Sequence, residues 1–174
     1  LEKGLADSYT VFHHLYWANA RPQGDQHGEL DVVVMNRAGD LAVLEIKAGE
    51  LDMSALGLFK RHGETVQNVG VQVQRQFNTL QARIRQRGWD VRLLHFLVLP
   101  HQRIEQWDDT IQFPRERIID ALACEDLPGE ITRNLSQGLD ASDVRSQVQD
   151  FMLNQLGMQL DVSALSGRLR QQVR

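Results

Sequence analysis

The chain has 174 residues, 42% of them hydrophobic and 24% charged, enough for one compact domain with a proper core. A net charge of −4 excludes a protein that simply coats nucleic acid. The single cysteine, Cys124, excludes an internal disulfide and a cysteine-based zinc site, and no apolar run approaches the length needed to span a bilayer.

The six histidines are scattered, without a His-Glu-x-x-His spacing, so a zinc enzyme is not expected. A lone thiol and no basic-then-apolar leader fit a reducing cytoplasm. The chain opens at Leu1, not at a methionine, inside what reads as the end of a helix (LEKGLADS). It therefore reads as a fragment of a longer protein. Charge is unevenly spread. Lys60 to Arg103 carries eight Lys/Arg against Glu64 and Asp90, whereas Ile104 to Asp150 carries four Arg against eleven acids. A basic region beside an acidic one suits an enzyme that grips a polyanion while holding cations, and equally two solvated faces.

In chain order, SYTVFHHLYWA alternates and predicts a strand, and RPQGDQHG predicts a loop that includes His27. Leu30–Asn36 and Leu41–Lys47 predict a hairpin, with Gly39 supplying the positive φ of its turn. AGELDMSALG is a connection, and LFKRHGETVQ a small hairpin turning at His62-Gly63. Val69–Arg87 predicts the clearest helix, with Val73, Phe77, Leu80 and Ile84 on one stripe and Gly88 closing it. Its remaining surface is Gln and Arg, including Gln72 and Arg75, a composition suited to phosphates or bases. VRLLHFLVL, ending before Pro100, predicts a strand buried on both faces, with His95 as a core histidine bonded to backbone. Beyond it, the pattern predicts an edge strand over Thr110–Phe113 and a short helix over Arg115–Cys124. Helices are also predicted over Ser142–Leu156 and Ser163–Val173. The fold class is thus α/β with a central mixed sheet flanked by helices. The expected division is a domain over 1–140 and a helical extension over 141–174.

The hairpin carries acids where strand residues are usually apolar. Strand alternation puts Glu29, Asp31, Val33 and Met35 on one face, and Leu41, Val43, Glu45 and Lys47 on another. An odd-numbered loop brings the two sets to the same side of the sheet, so that Asp31, Glu45 and Lys47 meet; an even-numbered loop separates them. Hydrolysing a phosphodiester calls for a metal ion, and magnesium takes one or two carboxylates and fills its remaining positions largely with water. Asp31 and Glu45 supply such a pair, the carbonyl of Ile46 a third oxygen, and Lys47 a cation for the developing charge. Lys60 and Arg61 lie close in sequence and could hold phosphates. A surface ion pair on an exposed hairpin explains the bare pattern as well.

GELDVVV, a turn and LAVLEIKAG resemble the nuclease-related domain (NERD), a branch of the PD-(D/E)XK restriction-endonuclease-like superfamily. Asn68 and Gln72, followed by Phe77 and Leu80, are similar to the family's next helix, and the resemblance runs from about Ser8 to Leu99. It implies a restriction-endonuclease-like core, a Mg²⁺ (or Mn²⁺)-dependent deoxyribonuclease activity, Asp31, Glu45 and Lys47 as the catalytic set, and Glu29 and Gln72 in support. The family's Gly-Glu in a first helix has no counterpart, because Glu2 stands too close to Tyr9. The segment DFMLNQLGMQLDVSALSGRLRQQ resembles a joint to a superfamily 1 DNA helicase, which implies a helicase in cis. The competing expectations are a non-catalytic DNA-binding module of such a helicase, and an unrelated α/β domain with an exposed ion pair.

Overall fold

The computed structural model describes residues 1–19, 26–108, 111 and 113–155. Among these the chain forms β1 (Thr10–Asn19), β2 (Gln26–Met35), β3 (Leu41–Ile46), β4 (Asp52–Ser54), β5 (Gly57–His62) and β6 (Thr65–Asn68). Then follow α1 (Val69–Gln86), β7 (Leu93–Val98), β8 (Ile118–Ile119), α2 (Leu127–Asn134) and α3 (Ser142–Asp150). The larger sheet has the order β1-β2-β3-β7-β8, and β4-β5-β6 form a second, smaller one. β1, β2 and β3 pair antiparallel, whereas β7 and β8 join parallel. The fold is mixed α/β with a mixed five-stranded sheet, as the sequence predicts. No helix of the described residues is long and apolar enough to cross a membrane.

The β2–β3 turn sets the geometry of everything around it. Met35 pairs with Leu41 and Val33 with Val43, so the intervening loop is five residues long, the odd-numbered case. Gly39 takes φ +84, and Asn36 Oδ1 accepts the N–H groups of Ala38 and Asp40, locking the turn.

Two apolar layers cover the sheet. On one face Val33, Met35, Leu41 and Val43 pack with Leu80 and Ile84 of α1 and with Val148, Phe151 and Met152. On the other, Val32, Val34, Ala42 and Leu44 pack with Ile131 and Leu135 at α2. Alternation along β2 and β3 sorts one set of residues to each face. A third cluster, including Leu58, Val73 and Leu97, seats the small sheet against α1. Asn68 caps α1 by accepting the Val71 N–H at 3.1 Å, and Gly88 at φ +70 follows its end.

Several expectations are corrected. The first hairpin strand begins at Gln26, not Leu30, so His27 lies in a strand rather than a loop. The opening residues form only a short 3₁₀ turn, Glu2–Gly4. The edge strand is β8; of Thr110–Phe113 the described Ile111 and Phe113 are bends whose buried side chains join the third cluster. Arg115–Cys124 is not one helix but a 3₁₀ turn followed by β8, and α2 begins after it, capped by Asp126. α3 ends at Asp150 and continues as a π-helical turn, Phe151–Gln155. The helix expected over Ser163–Val173 lies outside the described residues. Within the extension expected from residue 141, Val148, Phe151 and Met152 pack in the same cluster as the sheet.

Phe151 also takes the Arg87 guanidinium over its ring at 4.2 Å and the edge of Trp89 at 5.7 Å. Phe151→Ala is expected to cost about 3–5 kcal/mol in chemical denaturation. A loss below about 1 kcal/mol would place this segment outside the folding unit. His95 is a core histidine, 2% exposed and stacked on Phe77 at 5.2 Å, but neither ring nitrogen has the expected backbone partner. Burial, with Arg117 nearby, lowers its pKa to about 4. The folded state therefore binds fewer protons than the unfolded one between about pH 6.5 and 4, so stability falls as pH falls through that window. The expected loss is on the order of 3 kcal/mol, read by denaturation at neutral pH and at about pH 4. His95→Leu should flatten this slope, and identical slopes in both proteins would contradict the assignment.

Candidate functional site

At the end of β3, a strand flanked by β2 and β7, four fully buried apolar residues, Leu41 to Leu44, are followed by Glu45, whose side chain is also buried. Glu45 is 3% exposed. Lys47 donates to its Oε1 at 2.7 Å, while Oε2 is buried with no hydrogen-bond partner. Burial raises the Glu45 pKa above the ordinary glutamate value; Lys47 opposes that shift, and the nearby charges of Asp31 and Glu29 add to it. The three acids expected from the sequence are thus electrostatically coupled around one buried carboxylate.

Asp31 reaches this point because the β2–β3 ladder ends at Val32–Leu44. The next N–H on that side of β3, from Ile46, has no backbone carbonyl opposite it, and Asp31 Oδ2 accepts it at 2.7 Å. The Lys47 N–H points the other way and donates to Val98 of β7. The Ile46 carbonyl lies on the same side of the strand as its own N–H, the Asp31 side.

Glu29 lines the same cleft as Asp31 and Glu45, but the pleat of β2 is broken beside it. Leu30, not Glu29, packs with Val33 and Met35 in the α1-facing cluster, so strict alternation along β2 fails between Leu30 and Val33. Across the ladder, His14 stands opposite Asp31 at the one interior position where no pair forms, and it adopts φ +52. A non-glycine residue in the left-handed region costs about 1–3 kcal/mol. His14 Nδ1 hydrogen-bonds Glu29 Oε1, which fixes Glu29 on the rim.

Glu29, Asp31 and Glu45 face Gln72, Arg75 and Gln76 of α1 across a cleft of about 590 Å³. Lys47 is not part of its wall and meets it through Glu45. Lys60 and Arg61 also lie outside it: Lys60 donates to the Ala48 carbonyl at 2.6 Å, and Arg61 pairs with Asp52 at 2.9 Å. The acidic second half of the chain holds its own cations, Arg115 on Asp120 and Arg133 between Asp126 and Glu130.

Gln76 and Trp17 are among the cleft-lining residues that the sequence analysis does not assign to the site. Gln76, 6% exposed, donates from Nε2 to the Glu29 carbonyl at 3.1 Å, and its Oε1 is buried without a partner. Trp17, 4% exposed, lies so close to Gly28 that a Cβ there would sit 2.7 Å from the indole nitrogen. The first hid because a glutamine in a glutamine-rich helix carries no distinguishing signal. The second could have been found from a glycine placed opposite a tryptophan in paired strands.

Among the described residues no group of three or more His, Cys, Asp and Glu side chains is placed to hold a metal ion. The oxygen donors Asp31, Glu45 and the Ile46 carbonyl, with the orphaned Glu45 Oε2, nonetheless fit a hard divalent cation, which takes one or two carboxylates and keeps water elsewhere. A cation bound there should raise the melting temperature of the wild type in Mn²⁺ over that in EDTA, and the increment should vanish in Asp31→Asn and Glu45→Gln. Equal increments in all three proteins would place the ion elsewhere. Compared with family models, curated proteins and solved structures, the chain matches none of them.

Proposed function

We propose that this domain is a divalent-metal-dependent deoxyribonuclease of the restriction-endonuclease-like type, acting in the cytoplasm and joined in cis to a DNA helicase. The observation that carries the reading is Glu45: a carboxylate buried beside Lys47, with one oxygen unpartnered, coupled to Asp31 at the floor of a cleft. Burying a charge this way is costly without a function or a cation to offset it. Further support comes from the mixed sheet, in which an acid-bearing hairpin is followed by a helix crossover to a parallel strand.

When bound, Mg²⁺ or Mn²⁺ would activate water and neutralise charge on the phosphoryl oxygens. Asp31, Glu45 and the Ile46 carbonyl would hold it. The chain's own residues do the rest. Lys47 orients Glu45 and supplies positive charge against that developing in the transition state. Glu29, pinned by His14 and by the Gln76 bond to its backbone, shapes the rim. Gln72 and the exposed Arg75 stand on the opposite wall, Arg75 as a phosphate contact. Lys60 and Arg61, outside the wall, are available to more distant phosphates.

A second reading, a DNA-binding module without catalysis, is favoured by one feature: Asp31 Oδ2 and Glu45 Oε1 already have protein partners. Cleavage of labelled DNA with Mg²⁺ or Mn²⁺ separates the two. Asp31→Ala and Lys47→Ala should each lower kcat by about 10²–10³-fold while folding normally. Folded wild-type protein that binds DNA but leaves it intact with either ion would favour the module.

A further inference from the structure

The cleft wall opposite the acids is built from amides, not cations. Gln67 and Asn68 of β6 and Gln72 and Gln76 of α1 line it, with Arg75 as the one Lys or Arg there among the described residues. Gln67 Nε2 donates to Gln72 Oε1 at 2.8 Å, which ties the two side chains into one plate. That bond leaves the Gln72 amide NH₂ as a donor and the Gln67 carbonyl as an acceptor, both side chains partly exposed. Deeper in the wall stands the orphaned Gln76 Oε1. Val71, 55% exposed, adds an apolar surface beside the amides.

A wall of this kind is chemically wrong for gripping a run of phosphates, which calls for Arg and Lys. It suits the edge of a nucleobase, which offers neighbouring donors and acceptors that glutamine and asparagine match in pairs. The volume points the same way. About 590 Å³ is the size of a small-molecule pocket and takes a nucleotide, whereas a duplex can only lie across its mouth. In a duplex the Watson–Crick edges are occupied by pairing, so a base must be unpaired to enter.

We infer that the cleft receives an unpaired DNA nucleotide, its base edge against the Gln67–Gln72–Gln76 wall and its phosphodiester toward Asp31 and Glu45. The choice of DNA and the location of the scissile bond rest on the nuclease reading above; the recognition of an unpaired base does not. The substrate class is then single-stranded DNA, as an end, a flap or a gap, and not intact duplex.

The test is binding, measured by fluorescence anisotropy in Ca²⁺, of a labelled single strand, the same sequence as blunt duplex, and the same sequence as RNA. Wild type should bind the single-stranded DNA at least about tenfold tighter than the duplex. Gln67→Ala and Gln76→Leu should each weaken single-strand binding by about fivefold or more and leave duplex binding as it was. Gln67 is the safer variant for folding, because its side chain is only partly buried. Duplex bound as tightly as the single strand would overturn the inference. So would a Gln67→Ala protein, folded by circular dichroism, that binds single strands like wild type, or tighter binding of the RNA. Preferential single-strand binding lost in these variants, in a protein that cleaves nothing with Mg²⁺, would support the pocket and refute the nuclease reading.

Discussion

Strand β3 runs through the middle of the sheet, and its first four residues are fully buried before Glu45 takes a position that packing reserves for another apolar side chain. That carboxylate is the constraint on which the site depends. Its cost is met only in part, because Lys47 binds one oxygen and none of the described residues binds the other. Replacing it with leucine would extend the core by one residue. The fold keeps instead a carboxyl group whose pKa burial raises, next to a second acid that raises it further. Such an arrangement makes sense where a cation can complete it.

The surrounding strands are distorted to serve this point. Had β2 continued its ladder, a backbone carbonyl would have taken the Ile46 N–H and Asp31 would have been free to turn to solvent. The ladder stops at Val32–Leu44, short of Ile46, so the Asp31 carboxylate accepts the Ile46 N–H in place of a backbone carbonyl. The price appears in β1, where His14 takes a left-handed backbone conformation opposite Asp31 and bonds Glu29. Local strain, the broken alternation at Leu30 and the early end of the ladder are three aspects of one adjustment. The α1 wall then closes the cleft with amides, and Gln76 ties helix to sheet through the Glu29 carbonyl.

Much of the fold could be read in advance because its signals are periodic. The α1 stripe, the buried run before Pro100 and the turn at Gly39 each follow from spacing and backbone chemistry. The odd-numbered loop that brings Asp31 and Glu45 to one side was likewise stated as a condition, and the β2–β3 register meets it. α2 escaped because its eight residues bury only Ile131 within the helix, too little for a pattern to emerge. Leu30 joins Val33 and Met35 in one cluster because the pleat of β2 is broken, and nothing local in GELDVVV announces the conformation of His14 on the neighbouring strand. Lys60 and Arg61 looked near the acids in sequence, yet β5 carries them to partners outside the cleft.

The most direct test is to locate the ion. Crystals soaked in Mn²⁺ and measured at the manganese absorption edge should show an anomalous peak bonded to carboxylate oxygens of Asp31 and Glu45 at about 2.0–2.2 Å, with water completing an octahedron. A peak at another site, or a fully loaded crystal in which Glu45 still pairs only with Lys47, would contradict the claim that the buried carboxylate exists to hold a metal.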